Sequence, residues 1–296
     1  MDSSQRAPLD SPPSPRHEAW TEIIEPRSNP FDLRLGEVWQ YRDLLYMFVK
    51  RDFVAQYKQT ILGPLWFFIQ PLLTTLVFTV VFGRLANIST DGVPHILFYL
   101  AGLTVWGYFA ECLNKTATVF RDNQGVFGKV SFPRLITPLS IVVSGLIKFA
   151  IQFGLFLFVY AYYLFFTETS LAPNSIMLLS PLLVVLMAGL ALGFGMIISG
   201  LTTKYRDFVF LLAFGTQLFM YATPIIYPLS SVPLDKQYLL ILNPMTAIIE
   251  TFKYGFLGHA TFAWPHLLYS CGFTLAILFL GVLVFNRTEQ NFIDTV

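Results

Sequence analysis

Tyr57-Lys58-Gln59-Thr60-Ile61-Leu62-Gly63-Pro64-Leu65-Trp66 joins a basic, amphipathic segment to a long apolar run without a break. Upstream, Val38, Tyr41, Leu45 and Phe48 recur at helical spacing between Leu33 and Lys58, and Arg42, Lys50, Arg51 and Lys58 offer cations to anionic headgroups. That pattern predicts a helix lying in the membrane interface, with an ordinary solvated helix packed on its own protein as the alternative. Downstream, the run from Leu62 is long enough to enter and cross a bilayer. A charged helix along one face followed by a descent into hydrocarbon implies an all-α integral membrane protein.

Composition points the same way. Hydrophobic residues make up 55% of the 296 and charged residues 12%, against roughly 25% charged in an average soluble domain. Mean hydropathy is +0.60. Six stretches reach the length needed to cross about 30 Å of hydrocarbon at about 1.5 Å per residue. They are Leu62 to Arg84, Pro94 to Asn114, Ile136 to Phe166, Ile176 to Thr203, Phe208 to Tyr227 and His266 to Phe285. Because the first begins only at Leu62, a cleavable signal peptide is not expected.

The placement of Lys and Arg orients the chain. Eight of the nineteen lie at or before Lys58 and four between Lys115 and Arg134, while Lys204, Arg206 and Arg287 fall on the same side. Lys236 and Lys253 fall opposite, Arg84 sits at a border and Lys148 inside a span. The asymmetry predicts both termini in the cytoplasm.

Three other kinds of segment surround the spans. Residues 1–30 hold six Pro and five Ser without apolar period and read as a disordered cytoplasmic tail. Residues 31–60 are the amphipathic segment, and 61–296 the transmembrane domain. Between the fifth and sixth spans, Pro228 to Pro265 is cut by Pro233, Asn243-Pro244, Gly255 and Gly258 into two short pieces, Lys236 to Leu242 and Thr246 to Phe256. Short apolar helices of this kind predict a re-entrant external hairpin, or else two helices resting on the outer surface.

Charges within spans cost a few kcal/mol near the bilayer centre. Glu111 and Lys148 reach similar depths on successive spans and are a candidate intramembrane pair. The alternatives for Lys148 are a position facing a transport path, or snorkelling. Phe149, Phe153, Phe156, Tyr160 and Tyr163 line one face of the third span. They are candidate channel lining, with helix packing or lipid contact as the plainer reading. Gly189, Gly193, Gly195 and Ser199 form a small-residue face for close helix approach, in the same chain or a second protomer. Cys112 and Cys271 have no CxxC or metal-spaced His partner and read as buried thiols.

Tyr57-Lys58 followed by Leu62-Gly63 and Trp66 with Pro71, the Asn123 to Pro133 loop, Tyr205-Arg206-Asp207, Thr223-Pro224-Ile225 and Asn243-Pro244 occur in that order. In these motifs, over roughly residues 35–290, the chain resembles the permease subunits of type-2 ABC exporters, in the branch that exports O-antigen, capsular polysaccharide or teichoic acid. The Pro/Ser-rich tail departs from the family's shorter N-termini.

The resemblance implies a homodimer in a bacterial cytoplasmic (inner) membrane, working with two copies of a separate ATPase that carries ATP and Mg. O-antigen of lipopolysaccharide is the foremost substrate. No cofactor, metal or nucleic acid is expected on this chain. It lacks a G-x-x-x-x-G-K-[ST] phosphate loop, since Gly128-Lys129 is followed by Val130. The resemblance also assigns ATPase coupling to Arg121, Asn123, Val126, Phe127, Lys129 and Phe132, with Phe127 as exposed apolar anchor, and an interfacial gate to Tyr57, Lys58 and Trp66. A drug or small-lipid exporter of the same superfamily is the alternative. A membrane enzyme of glycan biosynthesis fits less well, because His17, His95, His259 and His266 are scattered and no catalytic residue set or paired-Asp motif is present.

Overall fold

The computed structural model describes residues 35–58, 61–127, 129–130, 132–169 and 171–293. The expected tail, residues 1–30, lies outside the described residues. The described residues hold helices and no strand, the α-helices running in the order α1 (Leu35–Gln40), α2 (Arg42–Tyr57), α3 (Trp66–Phe78), α4 (His95–Ala117), α5 (Val119–Asp122), α6 (Gln124–Phe127), α7 (Ile136–Phe166), α8 (Ser180–Lys204), α9 (Phe208–Tyr221), α10 (Leu234–Ile241), α11 (Pro244–Leu257) and α12 (Trp264–Ile293).

Among the described residues, five helical stretches are long and apolar enough to cross a membrane: Gly63–Leu85, His95–Ala117, Ile136–Phe166, Ser175–Lys204 and Trp264–Glu289. The first is composite: a 3₁₀ turn at Gly63–Leu65, then α3, then a π-helical stretch over Thr79–Leu85. The stretch expected to cross from Phe208 to Tyr227 stops at Tyr221, giving α9 only 14 residues, about 21 Å at the helical rise. Pro224 explains the stop, because a proline lacks the N–H that continues a helix and disfavours helical geometry in Thr223 before it.

α4 sits at the centre, packed on α3, α7, α8, α9 and α11. It is also the least apolar of the five long stretches and the most buried. The two properties belong together, since a helix covered by protein can carry polar side chains: Thr104 and Asn114 donate to Leu100 O and Ala110 O one turn back on α4 itself (both 2.7 Å), and Thr116 is covered by Gly195 of α8. On the α2 face of the bundle, Thr202 of α8 donates to the Ala117 carbonyl at the end of α4. On the opposite face, Ala172 N–H donates to Leu257 O (3.4 Å).

The small-residue face of α8 meets neighbours in the same chain. A Cβ at Gly189 would stand 2.6 Å from Thr274 Cγ2, and one at Gly195 2.5 Å from Thr116 Cβ. At Gly193 it would stand 2.8 Å from the Ile277 backbone, leaving no room for a methyl group between α8 and α12. Cys112 is buried and Cys271 half-buried, both as free thiols.

Gly193→Ala is therefore expected to destabilise the detergent-solubilised protein by about 1–3 kcal/mol. Gly154→Ala, where an added Cβ meets nothing within 4 Å, is expected to be neutral; thermal unfolding monitored by fluorescence compares them.

Candidate functional site

Between α4 and α7 the chain folds into two short turns, α5 and α6, with Gln124-Gly125 exposed at the tip. Thr118 Oγ1 donates to Asp122 Oδ2 (2.6 Å) and tightens the first turn. Phe127, expected as an exposed anchor, is 5% exposed, and Phe132 is 9% exposed. This corrects the sequence reading, and the cause is tertiary. Phe132 meets Phe48 of α2 (5.6 Å) and Phe127 (5.9 Å), while Phe127 meets Phe120 (5.8 Å), which packs on Phe285 of α12 (4.7 Å).

Arg134 closes this cluster. Its guanidinium lies over the Phe127 ring (5.2 Å), Nη1 donates to Glu289 O (3.3 Å) and Nε stands 4.0 Å from Glu289 Oε1. Burial draws its pKa below the usual arginine range and the Glu289 carboxylate pulls it back; an arginine remains a cation either way. On the other side of the loop, Arg51 lies over Phe48 (4.6 Å), and its Nη2 donates to Asn123 Oδ1 (3.5 Å). Of the residues assigned to coupling, Arg121 and Lys129 are exposed, Asn123 and Val126 half-buried; Val130 is the exposed apolar residue of this loop.

The face of α1 and α2 read as apolar packs on the protein. Val38, Tyr41 and Leu45 sit against the core beside buried Phe48, and α2 lies along α7. Trp39, Tyr46 and Met47 are exposed instead. Lys58 caps α2 and is exposed, as is Trp66 at the start of α3. Tyr57 ends α2, and its side chain lies outside what is described.

Within the bundle, Lys148 Nζ stands 2.7 Å from Glu111 Oε2, and Lys115 Nζ 2.8 Å from Glu111 Oε1. One carboxylate between two ammonium groups leaves one excess positive charge in this triad. The aromatic stripe of α7 turns inward. Phe149 stacks on Phe153 (5.7 Å), and Phe156 and Tyr160 meet Phe256 of α11 (5.4 and 5.8 Å). Phe149, Phe156 and Tyr160 are buried, and Phe153 and Tyr163 are packed against the same core. These rings join α7 to α11.

A different cleft, of about 380 Å³, opens between α3, α4 and α9. Thr74, Trp106, Asn114, Thr216, Gln217 and Tyr221 are among its lining residues. Gln217 on α9 and Gln70 on α3 are exposed on helices that are otherwise apolar. An amide facing lipid would lose its hydrogen bonds, so such residues mark a wet or protein-covered face.

The sequence reading counted Lys253 as an external loop charge. It is 0% exposed. Its Nζ donates to Pro224 O (2.8 Å) and Ile225 O (3.4 Å) and lies over the Phe98 ring (3.4 Å). Asn243 Nδ2 donates to Thr223 Oγ1 (2.9 Å) and Ala222 O (3.3 Å), and its Oδ1 accepts from Met245 N–H (2.9 Å), capping α11. Two side chains thus satisfy the backbone where α9 breaks. Nearby, Glu250 Oε2 accepts from Thr261 N–H (3.0 Å), and Glu250 and Thr246 line a cavity of about 10 Å³, room for roughly one water. A Glu and a Lys three residues apart in an apolar run were the available signal.

The fold and this arrangement define a multi-spanning helical membrane protein with a helical loop on one face and, between α3, α4 and α9, a cleft that sets a few amide and hydroxyl groups among apolar side chains. The chain belongs to the ABC-2 type transporter family, whose model matches residues 43–257. It is 26% identical to the O-antigen export system permease protein RfbA of Myxococcus xanthus, over 88% of this chain and 98% of that one. A Klebsiella pneumoniae protein of the same name is also 26% identical, over 85% and 94%. The polysialic acid transport protein KpsM of Escherichia coli is 23% identical, over 81% and 91%.

Replacing Glu111 with Lys strands three ammonium groups together and is expected to destabilise the solubilised protein by about 2–3 kcal/mol. Adding Lys148→Glu restores one carboxylate between two lysines, so the double variant is expected to recover most of the loss; a double variant no better than the single one would count against the triad.

Proposed function

We propose that this chain is the permease subunit of an ATP-driven exporter of lipid-linked polysaccharide in a bacterial inner membrane, with O-antigen as the foremost substrate. The observation that carries this reading is the cleft between α3, α4 and α9. A cleft between apolar helices that sets Asn114, Thr216 and Gln217 beside Trp106 and Tyr221 suits a sugar chain that presents both hydroxyls and C–H faces. The names of the relatives point to the same cargo class.

In this reading the chain crosses six times. α9 is the short fifth crossing, completed on the external side by α10 and α11 as a re-entrant hairpin. Lys253 and Asn243 support that hairpin by answering the carbonyls at the end of α9. Both termini lie in the cytoplasm. The α2 segment rests at the inner interface, with Trp39, Tyr46 and Met47 towards headgroups, and Tyr57, Lys58 and Trp66 at its turn into the bilayer.

Two copies form the working dimer, the conduit lies at their seam, and two ATPase chains hold ATP and Mg. The docking handle is the tip, Gln124-Gly125 with Lys129 and Val130, because these residues are exposed whereas Phe127 is not. ATP-driven closure of the ATPases moves this handle and opens the path.

Deletion of the gene, with a complemented control, is expected to remove polysaccharide from the cell surface while finished lipid-linked polymer accumulates inside. Loss of both pools would favour a biosynthetic enzyme, and no change in either would favour a drug or small-lipid exporter. For the handle, Val130→Asp combined with Gly125→Trp is expected to abolish co-purification of the ATPase, whereas Phe127→Leu preserves it; the reverse pattern would return Phe127 to the role of anchor.

A further inference from the structure

The exposed tip is joined to the rest of the molecule by a buried junction built from three distant stretches of chain. Arg134, itself 9% exposed, is held on one side by the ring face of Phe127 and on the other by the backbone and carboxylate of Glu289 near the end of α12. One turn earlier on α12, fully buried Phe285 packs on Phe120 of α5. In the opposite direction Phe132 hands the contact on to Phe48 of α2. The tip is therefore flanked by two helices, not one. A packed interior moves as discrete contacts rather than as a deformable medium, so a displacement of α6 must either carry Phe127 and its partners along or break them.

The contacts of α12 lead onward to the cleft. α12 packs without a gap on α8 at Gly193, and α8 packs on Thr116 of α4 at Gly195. α4 in turn supplies Asn114 and Trp106 to the cleft wall. A planar, permanently charged group suits the junction, since guanidinium stacks on a ring and engages an acceptor at the same time, which an ammonium does less well.

Resting on the proposed partnership with an ATPase, we propose that Arg134 is a positioning residue that makes the end of α12 a second arm of the coupling device. Force entering at the tip is delivered to α12 through the Phe127–Arg134–Glu289 contact, as well as to α2 through Phe132 and Phe48.

The test uses the full permease–ATPase complex reconstituted in vesicles, with ATP hydrolysis and export of labelled lipid-linked polymer read from the same sample. Arg134→Lys keeps the charge and loses the stacking plane, while Glu289→Gln keeps the shape and loses the charge. Both are expected to retain the ATPase partner and near wild-type hydrolysis, while polymer exported per ATP falls by about fivefold or more. Phe285→Leu, read in the same way, gives a third measurement if either polar variant folds poorly. A merely structural role would lower yield and thermal midpoint and leave export per ATP of the folded complex unchanged, which would overturn the proposal. Loss of the ATPase from the variants would also overturn it, by making the junction a docking determinant. Failure of the wild-type complex to assemble or export would instead sink the permease reading itself.

Discussion

Hydrocarbon supplies no hydrogen bonds, so wherever a membrane helix stops short its backbone must be answered from elsewhere in the chain. The break after Tyr221 is the point on which the α9–α11 end of this protein depends. Pro224 ends α9, and the carbonyls of Ala222, Pro224 and Ile225 that the helix leaves unpaired are taken by Asn243 and Lys253. Those two donors sit at the start of α11 and within it, and α11 is held in turn by the aromatic stripe of α7. Lys253 needs its acceptors as much as they need it, because a buried ammonium without partners is strongly disfavoured. Phe98 on α4 completes its environment with a ring face. Helix break, buried cation and hairpin are therefore one arrangement.

The opposite face follows a related rule with different material. There the loop between α4 and α7 lies where water is available, yet it is anchored by buried rings and a buried guanidinium. The result is a small exposed tip on a rigid base. The same division explains why Phe127, the largest apolar residue of the loop tip, is inside: removal from water is worth most to the largest ring, and α2 and α12 offer a place for it.

Much of the architecture was legible in the residues. The run from Ile136 to Phe166 reads as one helix and is one, with the same limits. Glu111 and Lys148 read as a pair and stand in contact, although Lys115, four residues further along α4, was not foreseen as the third member. The Asn243-Pro244 dipeptide reads as a break and acts as one, with Asn243 as the cap. Less was legible where a residue's role depends on which neighbour covers it. Periodicity puts Phe149, Phe153, Phe156 and Tyr160 on one face without saying whether that face meets a ligand or α11. It puts Val38, Tyr41, Leu45 and Phe48 on one face without separating lipid from protein.

What the sequence determined by itself is therefore the class: length and apolar content of the runs demand a helical membrane protein, because only helices satisfy a single chain's backbone locally. The order of short motifs added the resemblance to a family. Only the tertiary structure decided that α9 falls short of a full crossing, that Lys253 is a buried donor, that Phe127 faces inward and that the open cleft lies between α3, α4 and α9. Each of these depends on contacts between residues far apart in the chain, and local pattern carries no record of what will lie opposite.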